Sequence, residues 1–144
     1  MKTKVFLDAN ILIAVLNKEY PVYSYAARVL SLADHTRYEL YTSPLCLAIA
    51  FYYAEKKSKK TARSRIEMLA AKIGCTTVDE SIVSKAVKDE SIADFEDALQ
   101  YHSAKEAGCS VIVTEDKSDF YYASLRVSSS KEFLEQEFRY GYYR

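Results

Sequence analysis

Hydrophobic positions along the chain form short apolar runs that alternate with longer segments of helical period. Residues 4 to 7 form a short, mainly apolar run that ends at Asp8, and the apolar residues that follow recur at the spacing of one helix face. The same change of pattern occurs near the C-terminus, where residues 111 to 113 are all apolar. This alternation predicts strands that are connected by helices.

The pattern predicts strands at 4–7, 38–42, 75–78 and 111–113, with a last short strand at Val127. Helices are expected at about 11–15, 22–33, 44–57, 60–73, 82–87 and 94–107, with another after Ser129 or Ser130. Ser43 followed by Pro44 favours a helix start, because Ser caps free amides and Pro tolerates the first helical position. Gly74 and Gly108 are suited to helix ends. In the helix at 94–107, the predicted apolar face consists of Phe95, Ala98, Leu99, His102 and Ala104.

Short apolar strands that alternate with helices favour an α/β fold, with three α/β/α layers around a short, mostly parallel central sheet. The 144 residues include three glycines, two prolines and no repeat. We therefore expect one domain over residues 1–144, in which 139–144 form a loose tail. In such folds, ligands bind outside the carboxyl ends of the strands.

Charge is balanced but unevenly distributed. The 20 basic and 20 acidic residues give a formal net charge of zero, so any binding of nucleic acid must be local. One stretch concentrates basic residues and can hold phosphates, although most charged helix faces are simply solvated. Its candidate phosphate-binding residues are Lys56, Lys57, Lys59, Lys60 and Arg63.

Further features of the sequence indicate where the protein is located and what state its cysteines are in. The longest apolar stretch, residues 45–54, is too short to cross a bilayer, so we expect no membrane role. The N-terminus lacks the pattern of a secretory signal, which favours the cytoplasm. Cys46, Cys75 and Cys109 are widely spaced among apolar residues, and we interpret them as reduced core residues.

Acidic residues follow two of the predicted strands directly. Asp8 comes after the first strand, and Asp116 comes shortly after the strand at 111–113. A parallel sheet would place both at one edge, where Asn10 and Thr114 supply further polar groups. Asp8 can instead be a simple helix cap, and Asp116 an ordinary turn residue. The conjunction of the two favours a functional site.

Three more acids extend this candidate site. Asp94 and Asp97 lie three residues apart at a predicted helix start, and Asp119 follows Asp116 in the same turn. Like charges in one place are costly unless a cation offsets them. Mg²⁺ or Mn²⁺ suits such oxygen ligands and leaves coordination positions for a substrate phosphate. We therefore predict that Asp8, Asp97 and Asp116 are catalytic, and that these three bind the metal together with Asp94 and Asp119.

Three ordered motifs resemble the PIN domain, the nuclease fold of the toxins in many VapBC toxin–antitoxin pairs. Residues 5–12 are similar to the family's opening strand and its Asp-x-Asn, residues 94–100 to the helix with its third acid, and residues 111–120 to its last acidic motif. The resemblance implies an RNA substrate, a small antitoxin protein and a homodimer. It also makes the basic stretch from Lys56 to Arg63 the candidate RNA-binding segment.

One position departs from the family pattern. Family members usually carry a Glu early in the helix after the second strand, where this chain has Ile49. The nearest acid, Glu55, is six residues later and points about 120° away on a helix of 3.6 residues per turn. A catalytically impaired PIN scaffold that binds RNA or protein therefore stays open as an alternative.

A second alternative is a Mg²⁺-dependent phosphotransfer domain, which would also place an Asp after a strand. Phosphatases of the haloacid dehalogenase type need a second Asp two residues later, where this chain has Asn10. Receiver domains need a phosphoacceptor Asp on a middle strand and a Lys at the end of a later one, and we find neither. The sequence therefore favours a nuclease.

Overall fold

A computed structural model describes residues 1–138. In chain order, the strands are β1 (Thr3–Leu7), β2 (Tyr38–Thr42), β3 (Gly74–Cys75), β4 (Val111–Val113) and β5 (Arg126–Ser128). The helices are α1 (Ala9–Leu16), α2 (Val22–Ser31), α3 (Pro44–Lys57), α4 (Lys59–Lys72), α5 (Glu80–Lys88), α6 (Phe95–Glu106) and α7 (Ser130–Glu137). Two 3₁₀ helices, Leu32–Asp34 and Lys117–Phe120, complete the described elements.

The five strands form one parallel sheet in the order β3-β2-β1-β4-β5. Val5 at the centre of β1 pairs with Leu40 on one side and with Val111 on the other. The chain therefore builds the sheet outward from β1 in two directions. The boundary between β1 and β4 is the switch point beside which open α/β sheets bind their ligands.

Helices flank the sheet and close the core. Helix α1 packs against α2 and α3, α4 packs on α3, and α5 packs on α6. Residues 5–7 of β1 and all of β4 are apolar and buried because both faces of the sheet are covered there; Phe6 and Ile112 are fully buried. The predicted α/β fold with a parallel central sheet is confirmed.

Several boundaries differ from the prediction. The helix predicted over 22–33 ends at Ser31 and continues as the 3₁₀ helix. The strand predicted over 75–78 consists of Gly74–Cys75, because it is an edge strand with one partner, β2. The prediction of a core role for Cys75 is wrong: its side chain is exposed at this edge, whereas Cys46 and Cys109 are buried.

Helix α6 also differs in one respect from its predicted apolar face. Ala98, Leu99 and Ala104 are buried as expected, but Phe95 is 50% exposed because it occupies the first helical position, outside the core contacts of the later turns. The predicted tail at 139–144 lies outside the described residues, and the single domain over 1–144 stays a prediction.

Within residues 1–138, no helix combines the length and the apolar character that crossing a bilayer requires.

Candidate active site

Asp8 lies at the carboxyl end of β1 and caps helix α1. Its Oδ1 accepts a hydrogen bond from the Ala9 backbone N–H at 2.8 Å, and its Oδ2 accepts one from the Thr114 hydroxyl at 2.8 Å. Burial raises the pKa of the Asp8 carboxyl, the nearby charge of Asp116 adds to the rise, and the hydrogen bonds oppose it. Asp8 is therefore both a helix cap and a member of an acidic site.

Thr114 and Asn10 connect Asp8 to Asp116. The buried Thr114 hydroxyl donates to Asp8 and accepts from the Asn10 side-chain amide at 3.0 Å and from the Asp116 backbone N–H at 3.1 Å. The Asn10 amide also approaches Asp116 Oδ2 at 3.4 Å, while Asn10 Oδ1 accepts from the Glu115 N–H at 3.1 Å. These contacts hold the ends of β1 and β4 in one arrangement.

Helix α6 brings a third group of acids within electrostatic range of Asp8 and Asp119. Asp94 caps the helix by accepting a hydrogen bond from the Asp97 backbone N–H at 3.0 Å. Burial raises the pKa of Asp97 to about 7, and the charges of Asp94, Asp119, Asp8 and Glu96 add to the rise. Acids from three distant segments thus act on one carboxyl group, and this cluster has the high negative charge that a cation would neutralise.

The donor set fits a hard divalent cation. It consists of carboxylate oxygens with an amide and a hydroxyl group beside them, which is the chemistry that Mg²⁺ and Mn²⁺ prefer. In residues 1–138, no three His, Cys, Asp or Glu side chains are grouped closely enough to hold an ion alone. The arrangement therefore suits an ion that takes few protein ligands and keeps several waters, as Mg²⁺ usually does.

Two residues near these acids were missed by the sequence analysis. The charge of Asp8 helps to raise the pKa of Glu96, after burial and the charge of Asp94. The Cys46 thiol lies 3.8 Å from Asp8 Oδ1. Glu96 could have been found from its place in the same helical turn as Asp97, whereas the contact of Cys46 depends on how α3 packs against α1.

The predicted basic stretch lies away from the acids. Helix α3 starts at the acidic edge, where Cys46 contacts Asp8, and Lys56 is ten residues further along, a rise of about 15 Å. The Lys56 ammonium lies over the Tyr52 ring at 4.9 Å, and Lys57 donates to the Asn17 carbonyl at the end of α1. The exposed Lys59, Lys60 and Arg63 follow in the first turns of α4.

Ile49 lies nearer to the acids than the basic stretch does. It is half-buried and three residues after Cys46, so the two share one face of α3. The family's usual Glu would stand one turn beyond the residue that contacts Asp8. Glu55 is almost two turns further along.

Comparison with known proteins identifies a family whose members match this chain. The family model described as PIN domain matches residues 4–118, a span that runs from the second residue of β1 past the end of β4 and includes the acids up to Asp116. The chain belongs to the PIN domain family. This assignment confirms the resemblance seen in the sequence and favours a nuclease over the phosphotransfer alternative.

Named relatives of this PIN domain share most of its length. It is 29% identical over 137 residues to Ribonuclease VapC1 of Aquifex aeolicus, and the aligned region covers 92% of this chain and 94% of the relative. Solved structures include VapBC2 from Rickettsia felis bound to a DNA fragment from its promoter, with a TM-score of 0.68 at 18% identity, covering 88% of this chain and 98% of that one.

Two further structures share the fold. PAE2754 from Pyrobaculum aerophilum has a TM-score of 0.65 at 16% identity, covering 94% of this chain and 97% of that one. VapC20 from Mycobacterium tuberculosis, described as a toxin that cleaves the sarcin-ricin loop, has a TM-score of 0.60 at 15% identity. The match covers 75% of this chain and 86% of that one. At these identities, the structures support the fold alone.

Proposed function

We propose that this PIN domain is a divalent-metal-dependent endoribonuclease that hydrolyses phosphodiester bonds of RNA. The observation that carries the proposal is the arrangement of acids at the carboxyl edge of the sheet, where Thr114 connects Asp8 to Asp116. Burial raises the pKa of Asp97 in this arrangement to about 7, and the charges of acids from three segments add to the rise. Family membership and the relative named as a ribonuclease support the same reaction class.

Asp8, Asp97 and Asp116 would hold Mg²⁺ or Mn²⁺, in part through bound waters, because no three of the described acids are grouped closely enough for direct ligation. Asp94 and Asp119 are further candidate ligands of the same kind. A carboxylate has about four lone-pair sites. The Asp8 carboxylate therefore keeps acceptor capacity for a cation beside its hydrogen bonds to Ala9 and Thr114. When bound, the cation supplies positive charge that offsets the negative charge developing on the phosphodiester.

The chain's own residues orient the acids. Thr114 and Asn10 fix the carboxylates of Asp8 and Asp116 relative to each other, so little rearrangement is needed when substrate binds. Without a cation, burial raises the pKa of Asp97 to about 7, and the neighbouring acids add to the rise. A bound cation would favour the ionised carboxylate, so Asp97 would act as a ligand and not as the proton acceptor.

We further propose that this protein is the toxin of a VapBC-like pair in the cytoplasm, with a small antitoxin protein as partner and a homodimer as its assembly. The support is the likeness to VapBC2, described as bound to promoter DNA, and to VapC20, described as a toxin. The basic stretch, about 15 Å or more along α3 from Cys46, would contact RNA phosphates beyond the scissile bond rather than at it.

The impaired-scaffold alternative rests on Ile49 and has a direct test. Ile49→Glu adds a carboxylate on the α3 face that Cys46 shares. If the wild-type site is limited by this missing acid, the variant should cleave RNA at least tenfold faster, which corresponds to about 1.4 kcal/mol. Glu55→Gln is the matched control, because it changes charge on the same helix at a position about 120° away from Ile49. Equal rates for Ile49→Glu and wild type would show that the other acids suffice.

The central experiment is incubation of the purified protein with total RNA, with and without Mg²⁺ or Mn²⁺. We expect fragments only with the cation, and we expect Asp8→Asn and Asp116→Asn to reduce cleavage at least 100-fold. Asp34→Asn is the control, since Asp34 is exposed and pairs with Lys72. Cleavage that persists in EDTA, or survives both substitutions, would refute the proposal.

A further inference from the structure

We propose that Asp89 is a positioning residue for the metal-binding acids: it fixes the loop between α5 and α6, residues 89–94, beside the segment that carries Asp119. Asp89 would touch neither the metal nor the RNA and would act through the main chain of this loop. The inference rests on the proposed ribonuclease function, in which Asp94 and Asp119 are candidate ligands.

The Asp89 carboxylate accepts several hydrogen bonds at the start of the loop. His102 Nε2 lies 2.8 Å from Asp89 Oδ2, while Asp89 Oδ1 accepts from the Ser91 hydroxyl and from the Ser91 backbone N–H at 3.1 Å. The contacts from Ser91, and then that from His102, hold the pKa of Asp89 below its ordinary value. The carboxylate is therefore ionised at neutral pH, and an ionised carboxylate can only accept, so His102 is the donor.

His102 joins this loop to the helix that carries Asp97. It lies in α6, five residues after Asp97 and about 7.5 Å further along the helix axis. The loop also turns back on itself, because the Ile92 N–H donates to the Asp89 carbonyl at 3.3 Å and the Ile92 side chain is buried. Two residues later, Asp94 caps α6. The loop therefore has a fixed course from Asp89 to Asp94.

Tyr121 connects the same loop to the segment that carries Asp119. It lies two residues after Asp119, and its hydroxyl donates to the Ser91 carbonyl at 3.0 Å. The next residue, Tyr122, donates to the Asp97 carbonyl at 3.2 Å. Two segments that carry candidate ligands are thus joined directly at Asp97 and indirectly through the loop.

The loop and this segment place the two charges that act most strongly on Asp97. After burial, the charges of Asp94 and then Asp119 contribute most to the rise in its pKa. A loop released from Asp89 would let both carboxylates move relative to Asp97. Loss of a group that orients metal ligands from behind typically weakens metal binding about 10- to 100-fold.

Calorimetric titration of the folded protein with Mn²⁺, well below its melting temperature, tests the proposal. Asp89→Ala should weaken Mn²⁺ binding roughly tenfold. His102→Gln keeps a nitrogen donor and should bind Mn²⁺ more tightly than His102→Leu does. Tyr121→Phe removes one hydroxyl from an exposed side chain, so it should fold normally and still weaken binding several-fold.

Glu106→Gln is the matched control. It removes one negative charge, as Asp89→Ala does, and breaks another ion pair between α5 and α6, since Glu106 lies 3.1 Å from the Lys85 ammonium. Glu106 is nine residues after Asp97, about 14 Å along the helix, so Mn²⁺ affinity should stay as in wild type. In RNA cleavage, saturating Mn²⁺ should restore the kcat of Asp89→Ala, and the KM for RNA should be unchanged, because Asp89 contacts no substrate.

The outcomes separate this inference from the ribonuclease proposal. If wild type cleaves RNA but Asp89→Ala and Glu106→Gln bind Mn²⁺ equally well, Asp89 only stabilises the fold, and the nuclease stands. If Mn²⁺ affinities follow the expected order but wild type never cleaves, the nuclease is wrong and the positioning role stands. Equal Mn²⁺ affinities of His102→Gln and His102→Leu would overturn the role of the donor. Failure of wild type to bind Mn²⁺ would overturn both proposals.

Discussion

At the scale of single residues, the Thr114 hydroxyl organises the candidate site. This one buried oxygen donates to Asp8 and accepts from both Asn10 and the Asp116 backbone N–H, so its hydrogen-bonding capacity is filled. Asp8 and Asp116 are separated by more than a hundred residues, yet their relative position depends on this group. A methyl group in its place would leave several polar atoms without partners.

Thr114→Val tests this dependence. We expect a loss of about 1–3 kcal/mol in the free energy of unfolding, because buried polar groups lose their partner while the side-chain volume is nearly unchanged. Mn²⁺ affinity should also fall, since Asp8 and Asp116 are no longer held together. Urea unfolding and calorimetric Mn²⁺ titration measure the two effects. Thr114→Ser keeps the hydroxyl and should behave as wild type; if it is as defective as Thr114→Val, the hydroxyl is not the cause.

At the scale of elements, helix starts concentrate at the acidic edge. Asp8 caps α1, Ser43 caps α3 and Asp94 caps α6, each through a side-chain oxygen that accepts a backbone N–H. The N-terminus of a helix carries a partial positive charge, and each favourable placement of an acid there contributes about 0.3–1 kcal/mol. Capping by Asp8 and Asp94 therefore offsets part of the electrostatic free energy that it costs to place several carboxylates near one another.

Asp94 has two candidate roles, as a cap and as a metal ligand, and Asp94→Asn separates them. Asn caps a helix about as well as Asp, so the free energy of unfolding should stay close to that of wild type, whereas Asp94→Ala should cost about 1 kcal/mol. We expect Asp94→Asn to weaken Mn²⁺ binding several-fold, because one negative charge is lost. Thermal unfolding and Mn²⁺ titration distinguish the cases. Unchanged Mn²⁺ affinity would make Asp94 a cap only.

The elements also show how far the sequence was informative. The bounds of β2 and α3 were predicted correctly, because alternation of apolar residues and the Ser43-Pro44 start are local signals. The shortness of β3 and the exposure of Cys75 were not predicted, because they depend on an edge position in the sheet. The exposure of Phe95 was missed as well, since periodicity does not show where the core contacts of a helix begin.

At the scale of the whole molecule, the acidic site costs stability when no cation is bound. The pKa of Asp97 is raised in the folded protein to about 7 from an ordinary value of 3.8, and that of Asp8 is also raised. Between these pH values, the unfolded chain ionises more readily than the folded one, so the free energy of unfolding falls as pH rises. Below the ordinary value, both states are protonated and the effect disappears.

We therefore expect a divalent cation to stabilise the protein more at pH 8 than at pH 5. At pH 8 the folded site is ionised and its acids repel one another, so saturating Mn²⁺ should raise the melting temperature by several degrees, roughly 2–4 °C per kcal/mol. At pH 5 Asp97 is protonated and the increase should be small. Differential scanning calorimetry with and without Mn²⁺ at the two pH values measures this.

Asp97→Asn provides the control for this pH dependence. It removes the raised group, so the metal-free variant should be more stable than wild type at pH 8 and close to it at pH 5, while its response to Mn²⁺ decreases. Asp34→Asn makes the same change in net charge at an exposed site, so its stability should depend on pH as that of wild type does. A cation effect equal at both pH values would contradict the assignment of Asp97 to the site.

The sequence by itself determined the alternation of strands and helices, the parallel sheet and the acids that follow its strands, because these depend on local periodicity and on residue types beside strand ends. Only the tertiary structure decided which acids lie close enough to raise one another's pKa. The coupling of Asp8 and Asp97, the bridge through Thr114 and the distance of Lys56 from the acids all depend on strand order and helix packing. Contacts between residues so far apart in the chain are set by how whole elements bury their apolar faces, which no local pattern specifies.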